Sequence, residues 1–116
     1  MRPNRRSWMK ARWIGIPAAA LMIISAGQAL AEEALAKKSG CLECHSVNKK
    51  GIGPALHDIA AKYRGNGRAR DALIETVRKG GKGHWTDVTG GVPMPPFSPR
   101  LSDAEIQHLV DWVLGL

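Results

Sequence analysis

The sequence predicts an all-α domain of about four helices, and three observations carry that prediction. Apolar residues recur at i, i+3, i+4 and i+7 in several windows, the period of a helix with one buried face. A complete helix start, with a reciprocal cap and a flanking apolar pair, stands ahead of the last window. No segment alternates apolar and polar residues as a half-buried strand would, and no stretch repeats another.

The 116-residue chain opens with an address that lies outside that domain. Arg2, Arg5, Arg6, Lys10 and Arg12 form a basic region, and Ile14 to Ala26 is uncharged and apolar. Ala29-Leu30-Ala31 then supplies a small-x-small cleavage pattern. Residues 1–31 are therefore expected to be a Sec-type secretory signal, cleaved to leave an 85-residue domain, 32–116, in the periplasm. The competing reading is an uncleaved anchor, because Trp13 to Ala31 is 19 residues without a charge. Gly15, Pro17, Ser25, Gly27 and Gln28 dilute that run, and the complete tripartite pattern favours cleavage with no stable membrane insertion afterwards.

Losing the signal changes the electrostatic reading. The whole chain has 17 Lys and Arg against 10 Asp and Glu, a net charge of +7. Five of the basic residues and none of the acids lie in 1–31, so the remaining domain carries only +2. The high pI thus reflects export and gives no reason to expect nucleic-acid binding. A domain of this size, with only Tyr63, Trp85, Phe97 and Trp112 as aromatics, sits where a protein-only core becomes marginal. A bound apolar group is expected to complete that core.

Glu32 to Lys38 (EEALAKK) combines good helix formers with acids first and lysines last, and is expected to run into Cys41-Leu42-Glu43-Cys44-His45. That stretch is C-x-x-C-H, the attachment signature of c-type haem. Two thiols three positions apart lie on one face of a helical turn and can bond both vinyl groups of one porphyrin. His45 then offers an imidazole as proximal ligand to the iron. The helices are accordingly expected to wrap around one covalently bound haem c per chain.

Ser46 to Gly53 reads as a loop, and Pro54 fits the first position of a helix. Leu56, Ile59, Ala60 and Tyr63 are that helix's inward stripe, ended by Gly65-Asn66-Gly67. Asp71 to Lys79 is predicted as the next helix, with Leu73, Ile74 and Val77 inward and Gly80 as its C-terminal cap. Gly81 to Arg100 is rich in Gly and Pro and has no sustained period; a loop of this length in a small domain is usually functional. In the final helix Ser102 and Glu105 form a capping box, Leu101 and Ile106 a hydrophobic staple. Ile106, Leu109, Val110, Val113 and Leu114 make its buried stripe.

A haem used for electron transfer needs a sixth ligand. Met1, Met9 and Met22 leave with the signal, so Met94 is the one methionine of the mature domain. It lies in Val92-Pro93-Met94-Pro95-Pro96, where the prolines lower the entropy lost on holding the loop. His/Met ligation is the usual arrangement in cytochromes c. The bland alternative is that Met94 fills a gap in the core. His57, His84 and His108 are the other candidates, with His84 in its Gly-rich loop the serious rival.

Gly40 beside the haem motif, Gly53-Pro54, Trp85, Pro93-Met94-Pro95-Pro96 and the last helix together resemble the small class I cytochromes c. They are most similar to the bacterial cytochrome c-551/c-552 (c8) type, over essentially the whole mature domain. The resemblance implies thioether bonds from Cys41 and Cys44, with His45 and Met94 as the metal ligands. It also implies that the Pro54 carbonyl accepts the other ring N–H of His45, and that the Trp85 indole N–H donates to a haem propionate. Ordinary core packing of Trp85 is compatible with that role. The segment from Trp85 to Met94 (WTDVTGGVPM) departs from the family in being longer than in the shortest relatives.

The expected function is that of a single-electron carrier cycling Fe(III)/Fe(II), not an enzyme, with redox proteins as donor and acceptor. It would act as a monomer or as a subunit of a redox complex, the small cytochrome subunit of a periplasmic dehydrogenase being the alternative. Lys49, Lys50, Arg78, Lys79 and Lys82 are candidates to ring an exposed haem edge and steer acidic partners, against the alternative of scattered solvated cations. A thiol-disulfide oxidoreductase using Cys41 and Cys44 is the rival from another class, but the βαβ setting it needs is missing. A zinc site matches no common spacing, and a catalytic haem would require an open sixth position.

Overall fold

The computed structural model describes residue 15 and residues 18–116. Their helices are α1 (Ala18–Lys38), α2 (Cys41–Cys44), α3 (Leu56–Tyr63), α4 (Ala69–Lys79), α5 (Thr86–Thr89) and α6 (Asp103–Leu114). Two of these, α2 and α5, are single turns of 4 residues, which leaves four helices of substance. Among the described residues the only β pairing is an isolated bridge between Gly81 and Met94, so the all-α expectation holds.

The helix α6 is the one the others lean on. Ile106 is 0% exposed and, with Leu109 and Val110, packs against Ala36 of α1, Ile74 of α4 and the loop residues Phe97 and Leu101. Its start follows the predicted cap: Glu105 N donates to Ser102 Oγ at 3.1 Å, and Ser102 N donates to Glu105 Oε2 at 2.8 Å. Leu101 and Ile106 are both buried beside that cap. Arg70 of α4 grips Asp111 of α6 with two bonds, Nε to Oδ1 at 2.6 Å and Nη2 to Oδ2 at 3.0 Å.

Three predicted boundaries are corrected. The first helix extends upstream to Ala18 and does not run into the haem motif. Ser39 N and Gly40 N close it onto the carbonyls of Leu35 and Lys37, and Gly40 turns left-handed at φ 87, ψ 6 before Cys41 opens a new turn. Pro54 lies ahead of α3 and not at its first position. The first N–H groups of α3 are instead satisfied by the preceding loop, Leu56 N on Ser46 O at 2.9 Å and His57 N on Val47 O at 3.0 Å. The next helix starts two residues early, at Ala69, because Asn66 makes the turn: its side chain accepts from Arg68 N at 3.0 Å and its carbonyl from Ala69 N at 3.2 Å.

Along α1, residues 26–31 are exposed, and inward packing begins at Glu32, Leu35 and Ala36. The basic residues Arg2, Arg5, Arg6, Lys10 and Arg12 lie outside the described residues, as do Met1, Met9 and Trp13. No described helix is long and apolar enough to cross a membrane.

The link between α4 and α6 carries a pH signature. Hydrogen bonding to Arg70, and then the guanidinium charge, hold the Asp111 carboxyl below its usual value. A carboxyl lowered in the folded state contributes stability above its ordinary titration range and loses it as pH falls through the depressed value. Asp111→Asn should therefore lower the urea midpoint at neutral pH, and the gap from wild type should close in strong acid.

Candidate functional site

One cavity lies between α2, α3, the end of α4, the 81–97 loop and α6. Cys41, Cys44, His45, Pro54, Trp85 and Met94 all line it, so the structure brings the six predicted site residues to a single place. The atom-free space is about 1260 Å³, counting its open mouth. Ile59, Leu73, Val77, Leu109 and Trp112 complete walls that are almost wholly apolar.

The motif forms one wall. Gly40 sets α2 off from α1, and Cys41 and Cys44 sit half-buried at its two ends. The 46–55 loop folds back beneath them: Gly53 N donates to Cys44 O at 2.8 Å, and Gly51 N to Gly53 O at 2.9 Å. This return brings the Pro54 carbonyl to 2.7 Å from His45 Nδ1. A carbonyl carries no proton, so Nδ1 donates and Nε2 keeps its lone pair for a metal. A Cβ on Gly53 would stand 2.7 Å from His45 Cε1 and 2.9 Å from Nδ1. Only glycine lets the loop lie flat against the imidazole.

Met94 occupies another wall, on a strap tied to α4. Gly81 N donates to Met94 O at 2.9 Å and Met94 N to Gly81 O at 2.8 Å. Further on, Phe97 N and Ser98 N donate to Val77 O and Arg78 O, carbonyls at the C-terminal end of α4. Trp85 is half-buried at the cavity, and its carbonyl accepts from Val88 N and Thr89 N to start α5. Four residues of the 85–94 segment are thus wound into one helical turn. Lys62 Nζ lies 4.5 Å from the centroid of the Trp85 ring.

The rival readings fare differently. His57, His84 and His108 are all exposed and do not line the cavity, and His108 instead meets Glu32 of α1 at 3.2 Å. Burial pushes the Cys41 thiol up from its usual value. Reactive redox thiols need the opposite shift, so this environment does not suit thiol-disulfide exchange. The five candidate cations of the rim fall into two groups. Arg78 and Lys79 both pair with Glu75, which lies at helical spacing from each on α4 (Lys79 at 2.9 Å), and Arg78 also reaches Asp103 of α6. Among the described residues Lys49, Lys50 and Lys82 form no ion pair, and Lys82 lines the cavity itself. Ile52 and Val92, 54% and 52% exposed, belong to the same rim.

Apolar walls, two thiols, an imidazole with a free nitrogen and a thioether around one large space fit a covalently held porphyrin. The Cytochrome c family model matches residues 24–116. The chain belongs to the cytochrome c family. Cytochrome c-551 of Allochromatium vinosum is 50% identical over 91 residues, covering 78% of this chain and 92% of that protein. Cytochrome c-552 of Nitrosomonas europaea is 44% identical over 108 residues, covering 93% and 99%. The crystal structure of wild-type Nitrosomonas europaea cytochrome c552 superposes with a TM-score of 0.64 at 44% identity, over 72% of this chain and 98% of that one. This cytochrome is thus of the small class I c-551/c-552 type, an electron carrier and not an enzyme, with covalently bound haem c.

Three features of the site escaped the sequence. Gly53 beside His45 was legible as half of a Gly-Pro pair, but its contact with the ring was not. The contacts of Lys62 with Trp85 and of Gly81 with Met94 join residues with no local pattern between them. Gly53→Ala should tilt the His45 ring and break its bond to Pro54. Proton NMR of this cytochrome should then show the slowly exchanging His45 Nδ1 proton in the wild type and lose it in the variant.

Proposed function

We propose that the chain is a periplasmic single-electron carrier, with Cys41 and Cys44 bonded to the porphyrin and His45 and Met94 as the axial ligands of its iron. The observation that supports this most is that His45, with Nε2 free, shares one apolar cavity with both cysteines and Met94. When bound, haem c supplies a one-electron Fe(III)/Fe(II) couple. The chain's own residues set the terms of that couple. The Pro54 carbonyl orients the imidazole and raises its basicity. The tied strap keeps the Met94 thioether in place, so reorganisation on electron transfer stays small. A soft thioether and apolar walls both disfavour the ferric charge and raise the potential.

In this reading Trp85 donates to a propionate from the cavity edge, and residues 1–31 are a cleaved secretory signal. Exposure of residues 26–31, with packing from Glu32 onward, supports a boundary at Ala31. The unpaired, exposed Lys49, Lys50 and Lys82, together with exposed Ile52 and Val92 at the cavity mouth, suit an acidic redox partner with an apolar centre.

Haem staining should survive denaturing electrophoresis for the wild type and vanish for the Cys41→Ser/Cys44→Ser double variant. The oxidised wild type should show the weak Met-to-ferric-iron charge-transfer band, and Met94→Ala should lose it and bind carbon monoxide when reduced. Association with an acidic redox protein should slow as salt rises, and less steeply for a variant with Lys49, Lys50 and Lys82 changed to Gln; a salt-independent rate would refute the steering.

A further inference from the structure

The strap that carries Met94 is pressed against one residue that sequence patterns assign only to helix capping. Gly80 ends α4 at φ 70, ψ −164, a backbone conformation essentially restricted to glycine. Its N–H donates to Thr76 O at 2.7 Å, which holds it to the helix. A Cβ on Gly80 would stand 2.4 Å from Met94 O and 2.8 Å from both Pro95 C and Pro96 N. All three atoms are backbone, two of them in proline residues, so no side-chain rotation could relieve the clash. Gly81, immediately following, makes the reciprocal bonds to Met94, and a Cβ there would meet nothing within 4 Å. Close packing of the strap therefore depends on Gly80 specifically.

We propose that Gly80 is the positioning residue for the sixth ligand: its missing side chain sets how near the Met94 strap lies to α4, and so where the thioether stands in the cavity. This inference rests on the His/Met reading. It makes the end of α4 the fixed support of the ligand, with the hydrogen bonds at Gly81, Phe97 and Ser98 holding the strap down once Gly80 has admitted it.

Gly80→Ala tests this against Gly90→Ala in the haem-loaded protein. Gly90 lies in the same loop with φ 63, but a Cβ there would meet nothing within 4 Å. Both variants carry a side chain at positive φ, and only the first collides with the strap. Gly80→Ala should keep its covalent haem and far-UV helical signal, lose the Met-to-ferric-iron band, and bind carbon monoxide when reduced. Gly90→Ala should match the wild type in all four. A Gly80→Ala protein that keeps the band and excludes carbon monoxide overturns the inference alone, as does equal loss in both variants. Absence of the band from the wild type overturns the His/Met reading and the inference with it. If Gly80→Ala yields no holoprotein, wild-type amide exchange decides. Gly81, Met94, Phe97 and Ser98 should share one protection factor as a single strap, and independent protection factors would refute it.

Discussion

One constraint governs this molecule: a short chain must enclose a large apolar group while keeping its own backbone paired. The apolar stripes of α4 and α6 serve two surfaces at once. Leu73, Val77 and Trp112 pack against the core cluster and also line the cavity. Burial of that apolar surface is the dominant favourable term in folding, at roughly 25 cal/mol per Å². In this domain, therefore, the group in the cavity and the core stabilise each other.

The two segments that frame His45 and Met94 at the cavity are both irregular, yet neither is held mainly by side chains. The 46–55 loop is tied to the haem motif through Gly53 N, and to α3 through Ser46 and Val47 carbonyls. The strap from Gly80 to Ser98 closes on itself through Gly81 and Met94 and is tied through Phe97 and Ser98 to the end of α4. In each case the bonds use groups that a helix end or turn would otherwise leave open. The price in side-chain freedom falls on glycine: Gly53 against an imidazole and Gly80 against a carbonyl. A redox centre benefits because backbone-tied supports move little between oxidation states.

Charge is distributed with a similar division. The cations of α4 are absorbed into ion pairs, Arg70 with Asp111 of α6 and Arg78 with Glu75 and with Asp103 of α6. Exposed pairs of this kind contribute little to stability each. Their effect here is subtractive, since they leave Lys49, Lys50 and Lys82 as the unpaired cations among those considered for the rim.

Local chemistry made much of this protein legible in its sequence. C-x-x-C-H needs no partner elsewhere to state its purpose, and the Ser102/Glu105 cap is complete within four residues. Helical spacing placed α3, α4 and α6, and their errors were at ends set by neighbours: Pro54 was displaced because the 46–47 carbonyls cap α3. The break at Gly40 and the turn at Asn66 that starts α4 early at Ala69 each rest on a backbone turn that residue type permits without requiring. Tertiary structure alone decided which residues meet across the cavity. Lys62 over Trp85, Arg78 on Asp103, Gly53 against His45 and Gly80 against Met94 are all products of chain return. Helical period and capping act over a few residues and are written in sequence. Close approach between distant segments depends on where the helices finally pack, and no local pattern encodes it.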